Sequence, residues 1–451
     1  LSKKGGIQAV SASRITVDTT KVSTGMYVVM LDRPWLETPF VFQGFEIQDR
    51  HEIELLQSYC SFVYVDIDRG SLSPAQIRVL VSAQPSHKQQ AKFVQRTRRE
   101  PSIWLLRIRN FLMRLRIVRQ PAGGSKLEPE GYPIQSTLRG EANHAYAAYK
   151  TISSKYRNMV DRVEQQGDVQ VSLLRTAVQP VIDSVLRNPN AMAWTIFSRK
   201  RAEHDYSRAV ATSVWCLMFG RHLGFDRQGL EDLAIGGLLL DIGNIQIPEE
   251  IGNDEGEISQ EHYNLLSKHV EFGLEILANS TGLTRNVVDM VNYHHERADG
   301  SGYPNQLQGN QIPVFARIAG IADCYDAMTT KNAYSPAFAA YDAARALNEM
   351  RGTQFAPEVV EQFLRMMGLF PTASVVELSD GTIGVVLEQN RNNALRPKVM
   401  VLLDKNRKML PKPKVLDMRD LPLDVTHARA IWVVQGHEHG AFGIDPMDYF
   451  N

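Results

Sequence analysis

The densest chemistry in this sequence lies in one stretch, Tyr293-His294-His295-Glu296-Arg297-Ala298-Asp299-Gly300-Ser301-Gly302-Tyr303-Pro304. Two adjacent histidines close a helical pattern, and a Gly- and Pro-rich loop follows. A lone histidine is usually structural or solvated, but a pair followed by Asp-Gly-Ser-Gly-Tyr-Pro is rare by chance. Further imidazoles and carboxylates fall on neighbouring helical patterns: His204, Asp241, His269, Asp323 and Asp326. Such groups on facing helices hold one or two divalent transition metals. A centre of that kind brings the pKa of water towards neutrality and clamps a phosphoryl group for in-line attack. Plainer readings stand beside this one. Asp241 also suits a cap at its helix end or at the turn at Gly243. Asp323 and Asp326 suit a ligand and its orienter, or two helix-surface acids. Tyr303 suits loop packing as well as ligand stacking. His437-Glu438-His439 reads as a solvated tail.

The elements that must position these residues are mostly helical. From about Gly140 to Gly368 the periodicity predicts helices over 142–165, 204–223, 227–240, 262–278, 284–295, 313–328, 339–350 and 357–367, with Gly and Pro at their ends. Residues 1–87 read as a small α+β domain, with strands at 14–17, 26–31 and 62–65 and a short helix at 52–58. Residues 371–451 read as a β-rich extension. A hairpin turns at Asp380-Gly381, a third strand covers 399–403, and the final 30 residues read as irregular. Between lies a basic segment and linker, 88–139. Within it, residues 88–119 carry ten basic residues and one acid. Their arginines do not share one helical face. A solvated linker docking on acidic surface is therefore favoured over a peripheral contact with anionic membrane, which stays open as an alternative. The Trp104 neighbourhood reads as core or dimer contact rather than membrane anchor.

Composition narrows the class. In 451 residues, 43% are apolar and 22% charged, which excludes a largely disordered chain and a disulfide-stapled miniprotein. Lys plus Arg and Asp plus Glu are 50 each, so no net field favours nucleic acid. No apolar run approaches the length of a transmembrane helix, and the start shows no signal-peptide pattern. Three dispersed cysteines without a CxxC predict a reducing, cytoplasmic setting.

Residues 204–368 resemble the HD-GYP domain, a branch of the HD phosphohydrolases. The resemblance is carried by Asp241-Ile242-Gly243 through Pro248, His269 with Gly273, His294-His295-Glu296, Asp299-Gly300-Ser301-Gly302-Tyr303-Pro304 and Ile321-Ala322-Asp323-Cys324-Tyr325-Asp326-Ala327-Met328-Thr329. Residues 11–70 are similar to a small domain often found ahead of HD-GYP. The resemblance implies a mainly α protein: an all-helical HD-type domain flanked by the two smaller ones. It implies a bacterial cyclic di-GMP phosphodiesterase yielding pGpG and GMP, with Fe or Mn as cofactor. The implied metal ligands are His204, Asp241, His269, His294, His295 and Asp323, with Asp241 bridging two ions. Tyr303, Asp326 and Lys331 would face the substrate, with Asp241 and Lys331 catalytic. Gly302, Tyr303 and Pro304 would meet partners such as GGDEF-type signalling domains.

The sequence also departs from the family pattern. Leu240 stands where the His of the His-Asp pair is expected, and Asn244 where a Lys is common. Lys200 replaces a Glu found in some members. Asn332-Ala333-Tyr334 replaces Arg-Pro-Tyr, and Ser335 a phosphate-gripping Lys, with Lys331 as the adjacent cation. Each change removes a metal ligand or a positive charge, and none touches the fold. The expectation is one or two ions, one ion, or none, with hydrolysis weak or lost and a role in nucleotide sensing or partner binding. An active enzyme with an atypical metal site is the alternative.

Overall fold

A computed structural model describes residues 14–32, 45–47, 50–67, 70–82, 132–197, 204–248, 260–330, 337–390, 396–421, 431–437, 440–445 and 449. The basic stretch 88–119, Lys200 and residues 331–335 lie outside them. The chain divides into two compact units, Leu1–Arg98 with Asn390–Pro397 and Asp417–Trp432, and Arg99–Gln389 with Lys398–Leu416 and Val433–Asn451.

The first unit holds β1 (Arg14–Asp18), β2 (Tyr27–Leu31), β3 (Phe45–Glu46), α1 (Arg50–Tyr59), β4 (Phe62–Asp66) and α2 (Pro74–Ser82). Its strands form one sheet in the order β1-β4-β2-β3, with antiparallel pairing throughout. Val17, Val28, Val63 and Val65 alternate inward and pack with Leu56 of α1 and Ile77 of α2. This is the α+β arrangement that the strand patterns predict; α2 and the two-residue β3 are additions.

The second unit is helical. It runs α3 (Leu138–Gln166), α4 (Val171–Arg187), α5 (Pro189–Phe197), α6 (His204–Leu223), α7 (Arg227–Leu239), α8 (Gln260–Leu266), α9 (His269–Ala278), α10 (Arg285–Tyr293), α11 (Val314–Thr329), α12 (Ala340–Glu349) and α13 (Pro357–Met367). Local signals set the ends. The Thr137, Asp226 and Thr284 side chains accept from backbone N–H groups in the first turns of α3, α7 and α10. Gly167 ends α3 in the left-handed region, its N–H returning to Val163 O. Helix α6 packs on α7 and α11, and α10 packs on α7 and α11. The large buried side chains Trp215, Phe219, Phe225, Tyr325 and Phe363 fill the space between them. Each contributes about 1.5–3 kcal/mol by burial.

Among the helices, two features differ from the sequence pattern. The pattern assigns no element to residues 171–197, yet α4 and α5 are there. Pro180 lies inside α4 on its exposed side. The opposite face buries Leu174, Val178, Val181, Ile182 and Val185, which outweighs the lost hydrogen bond. The single helix expected over 262–278 is two helices, broken at Ser267-Lys268.

The β-rich extension forms a five-stranded sheet of β5 (Val375–Leu378), β6 (Ile383–Glu388), β7 (Lys398–Leu403), β8 (Met409–Asp417) and β9 (Val433–His437), in the order β8-β7-β6-β5-β9. The hairpin at Asp380-Gly381 forms as the turn signal predicts, Gly381 having φ +82°. The final 30 residues are not wholly irregular, because they supply β9, antiparallel to β5. Val375, Ile383, Val385 and Leu402 pack with Trp194 of α5, joining the sheet to the helices. Among the described residues no helix is long and apolar enough to cross a membrane.

Candidate metal centre

Four of the sequence-predicted ligands converge. One ligand atom from each of Asp241, His269, His294 and His295 lies within 4.8 Å of those of the other three. They come from three places in the helical unit: the turn after α7, the first residue of α9, and the two residues after α10.

The local fold explains the convergence. Asp241 follows Leu240, which is 2% exposed and buries hydrocarbon in the core. A short 3-10 turn, Ile242–Gln246, then crosses the start of α9 at backbone contact. A Cβ at Gly243 would stand 2.0 Å from His269 O and 2.5 Å from Gly273 N, so only glycine permits the approach. The Asp241 side chain makes no capping hydrogen bond, so the turn does not claim its carboxylate.

The break at Ser267-Lys268 also has a use. The Leu266 carbonyl, freed at the end of α8, accepts from His269 Nδ1 at 2.7 Å. His294 Nδ1 donates to the carbonyls of Val291 at 3.0 Å and Met290 at 3.2 Å, in the last turn of α10. With the proton on Nδ1 in both rings, each Nε2 carries a lone pair. Those two Nε2 atoms face each other at 3.4 Å, and His269 Nε2 lies 3.5 Å from Asp241 Oδ1. Two lone pairs so close repel unless a cation sits between them. Ligands about 2.1 Å from a tetrahedral ion are about 3.4 Å apart. The donor set therefore fits a borderline divalent ion held by three imidazoles and a carboxylate.

Electrostatics favour the same state. Burial, then the neighbouring His269, hold the His294 imidazole below its ordinary pKa. Burial, then His294 and His269, push His295 well below it. Both rings are therefore neutral at neutral pH, as metal ligation requires. Burial works to raise the Asp241 pKa, but the Arg208 guanidinium, then His269 and His294, outweigh it and leave the carboxyl ionised.

The flanking loop covers one face of the cluster. Tyr303 stacks on His295, with ring centroids 4.6 Å apart and planes at 18°, and Tyr263 meets Tyr303 edge-on. Gly302 is buried where a Cβ would meet His295 O and Arg297 N at 2.4 Å. Glu296 anchors the loop by accepting from Asn305 N and Leu307 N at 2.7 and 2.8 Å. The Tyr303-Pro304 peptide is cis, and Pro304 is exposed.

Among the described residues, Asp323 and Asp326 do not join the four. Asp323, on α11, accepts from Arg208 Nη2 at 2.8 Å. Asp326 is 1% exposed and accepts from the Trp215 indole at 3.2 Å. His204 begins α6, and Lys331 lies outside the described residues. Arg208 is the site residue that sequence reasoning missed. Its signal was its place four residues after His204, on the same helix face. Cys216 and Cys324 are inert by burial, which raises both thiols, that of Cys324 to about 11.

Residues 191–359 match the family model described as HD domain. The chain carries an HD domain. Residues 14–173 match a domain of unknown function (DUF3391), and residues 375–423 match a KOW domain associated with HD domain. A cyclic di-GMP phosphodiesterase of Pseudomonas aeruginosa is 27% identical over 85% of this chain and 84% of its own length. The cyclic di-GMP phosphodiesterase response regulator RpfG of Xanthomonas campestris is 32% identical over 35% of this chain and 44% of its own. A 3'3'-cGAMP-specific phosphodiesterase of Vibrio cholerae is 32% identical over 38% of this chain and 33% of its own. The chain thus spans most of the first relative and less than half of the other two. Among solved structures, a HDG"Y"P protein from Bdellovibrio bacteriovorus aligns with a TM-score of 0.41 and 13% identity, over 78% of this chain and 98% of that one. Of the six ligands that the HD-GYP resemblance implies, Asp241, His269, His294 and His295 are the four that converge among the described residues.

Proposed function

We propose that this HD-domain protein works in cyclic di-GMP signalling through a depleted, single-ion centre. Its hydrolysis of the dinucleotide is weak or absent, and it acts by sensing the nucleotide or by binding a GGDEF-type or similar partner. The observation that carries this reading is the cluster of Asp241, His269, His294 and His295, complete for one ion beside a position, Leu240, that offers only hydrocarbon. An Fe or Mn ion there would polarise a phosphoryl oxygen and activate water.

The protein's own residues prepare the site. Leu266 O and the α10 carbonyls hold two imidazoles in the ligating tautomer. Tyr303 keeps one face of His295 dry. The exposed edge of the loop at Pro304, with Gly302 buried behind it, is the surface we assign to a partner. Lys331 remains the proposed phosphate contact in place of the Lys expected at Ser335. Asp326, already bound to Trp215, supports α11 from inside.

The alternative is an active phosphodiesterase producing pGpG and GMP through this one-ion site. It is favoured by the complete four-ligand set and by the similarity to cyclic di-GMP phosphodiesterases. A turnover assay with purified full-length chain loaded with Mn(II) or Fe(II) separates the two. Trace or no pGpG together with retained cyclic di-GMP binding supports the first reading. Sustained multiple turnover sinks it and leaves the alternative. On the first reading Leu240→His alone does not rescue turnover, because Asn244, Asn332 and Ser335 are also altered.

A further inference from the structure

Asp241 presents its two carboxylate oxygens to two different places. Oδ1 faces His269 Nε2 at 3.5 Å, inside the four-ligand cluster. Oδ2 faces Arg208 Nε at 3.9 Å, on the other side. A carboxylate shared in this way is the bridge of a two-cation centre. On the far side the cation is part of the chain. Arg208 also donates from Nη2 to Asp323 Oδ1 at 2.8 Å, so one guanidinium sits against both acids. Asp323 is 6% exposed, and Asp326 adds its negative charge to the same guanidinium. Arg208 Nε is buried and makes no hydrogen bond among the described residues, although it is the nitrogen nearest Asp241.

We propose that Arg208 is a built-in second cation: its guanidinium fills the position on the far side of Asp241, neutralises Asp241 and Asp323, and limits the centre to one divalent ion per chain. The claim rests on the metal-site reading above and deepens it. A second ion would have to displace a guanidinium already held at hydrogen-bond distance by a buried carboxylate. It would also meet a fixed positive charge that cannot be lost by deprotonation. His204, one helical turn before Arg208, would then have no ion to bind. The missing imidazole at Leu240 and the arginine at 208 are two sides of one change, with a ligand removed and its cation replaced.

The test counts ions and does not depend on activity. Full-length chain, stripped with chelator, is titrated with Mn(II). Bound metal is measured by elemental analysis after gel filtration, and exchange coupling between close ions by electron paramagnetic resonance. The expected count is one uncoupled Mn(II) per native chain and one for Arg208→Lys. Arg208→Met, which keeps the apolar stem, should bind a second ion with a coupled signal. Asp323→Asn added to Arg208→Met should return the count to one. Two coupled ions in the native chain, or one ion in folded Arg208→Met, would overturn the proposal while leaving the metal-site reading standing. No bound ion in the native chain would overturn both. The native count needs no variant, so the proposal stays testable if Arg208→Met does not fold.

Discussion

The sharpest consequence of this geometry is that Asp241 and Asp323, both expected as ligands from the family resemblance, should behave differently when neutralised. Asp323 is committed to Arg208 at 2.8 Å. At an effective dielectric constant of about 20, that separation corresponds to roughly 6 kcal/mol of attraction before costs are counted. The Arg208 side chain is 40% exposed, so solvent screening and the desolvation of Asp323 remove most of it. A net of about 1–3 kcal/mol remains. Asp323→Asn should therefore destabilise the helical unit by about that amount, lowering its melting temperature by roughly 2–10 °C. Its Mn(II) Kd should move less than about fivefold. Asp241→Asn should do the reverse. It removes the one carboxylate among the four converging ligands. Losses around a metal site beyond its direct ligands already cost about 10–100-fold. A direct ligand should cost at least about 100-fold in Kd, about 2.8 kcal/mol. Calorimetric Mn(II) titration beside a thermal melt of each chelator-stripped variant gives both readouts. If Asp323→Asn weakens Mn(II) binding as much as Asp241→Asn, the two carboxylates do not divide their roles in this way.

Three further outcomes follow from other parts of the helical unit. Glu141, 2% exposed, accepts from Arg187 Nε and Nη2 at 2.8 and 2.7 Å. Burial works to raise its carboxyl pKa, but the Arg187 hydrogen bonds outweigh this and set it below the ordinary value of 4.5. The stabilisation is thus full above pH 4.5 and is lost as pH falls through the lowered folded value. Glu141→Gln should cost about 1–3 kcal/mol at pH 7 in urea melts, and the gap to the native chain should close towards pH 3; a gap independent of pH would contradict this. Gly243→Ala drives a Cβ into His269 O, so it should push Asp241 away from His269 and weaken Mn(II) at least about 10-fold, read by the same titration. Trp215→Phe removes the indole donor to buried Asp326 and should cost about 1–3 kcal/mol in a urea melt with Mn(II) affinity unchanged; an equal loss of metal would place Asp326 in the site.

Much of this protein was legible as sequence because its signals are local. Helix periodicity located α6, α7, α10, α11 and α13 to within a residue or two, since a buried stripe, a capping Thr or Asp and a terminal Gly act within a few turns. The His294-His295 pair was legible because such a pair ahead of Asp-Gly-Ser-Gly-Tyr-Pro is rare by chance, and Asp241 and His269 were legible through the HD-GYP resemblance. Tertiary structure decided what local rules could not. Pro180 argues against a helix until the packed face of α4 outweighs it. Strand β8 contains Pro411 and Pro413, which are tolerated because it lies at the sheet edge. Strand β9 exists through pairing with β5 more than 50 residues earlier, and no local pattern encodes that. The break before His269 leaves the Leu266 carbonyl to accept from its Nδ1, a contact that appears only in the folded chain. In the sequence Arg208 is one charge among many on a helix. Only the packing of α6 against α11 and the turn after α7 brings it between two carboxylates, because electrostatic partners are chosen by distance in space rather than along the chain.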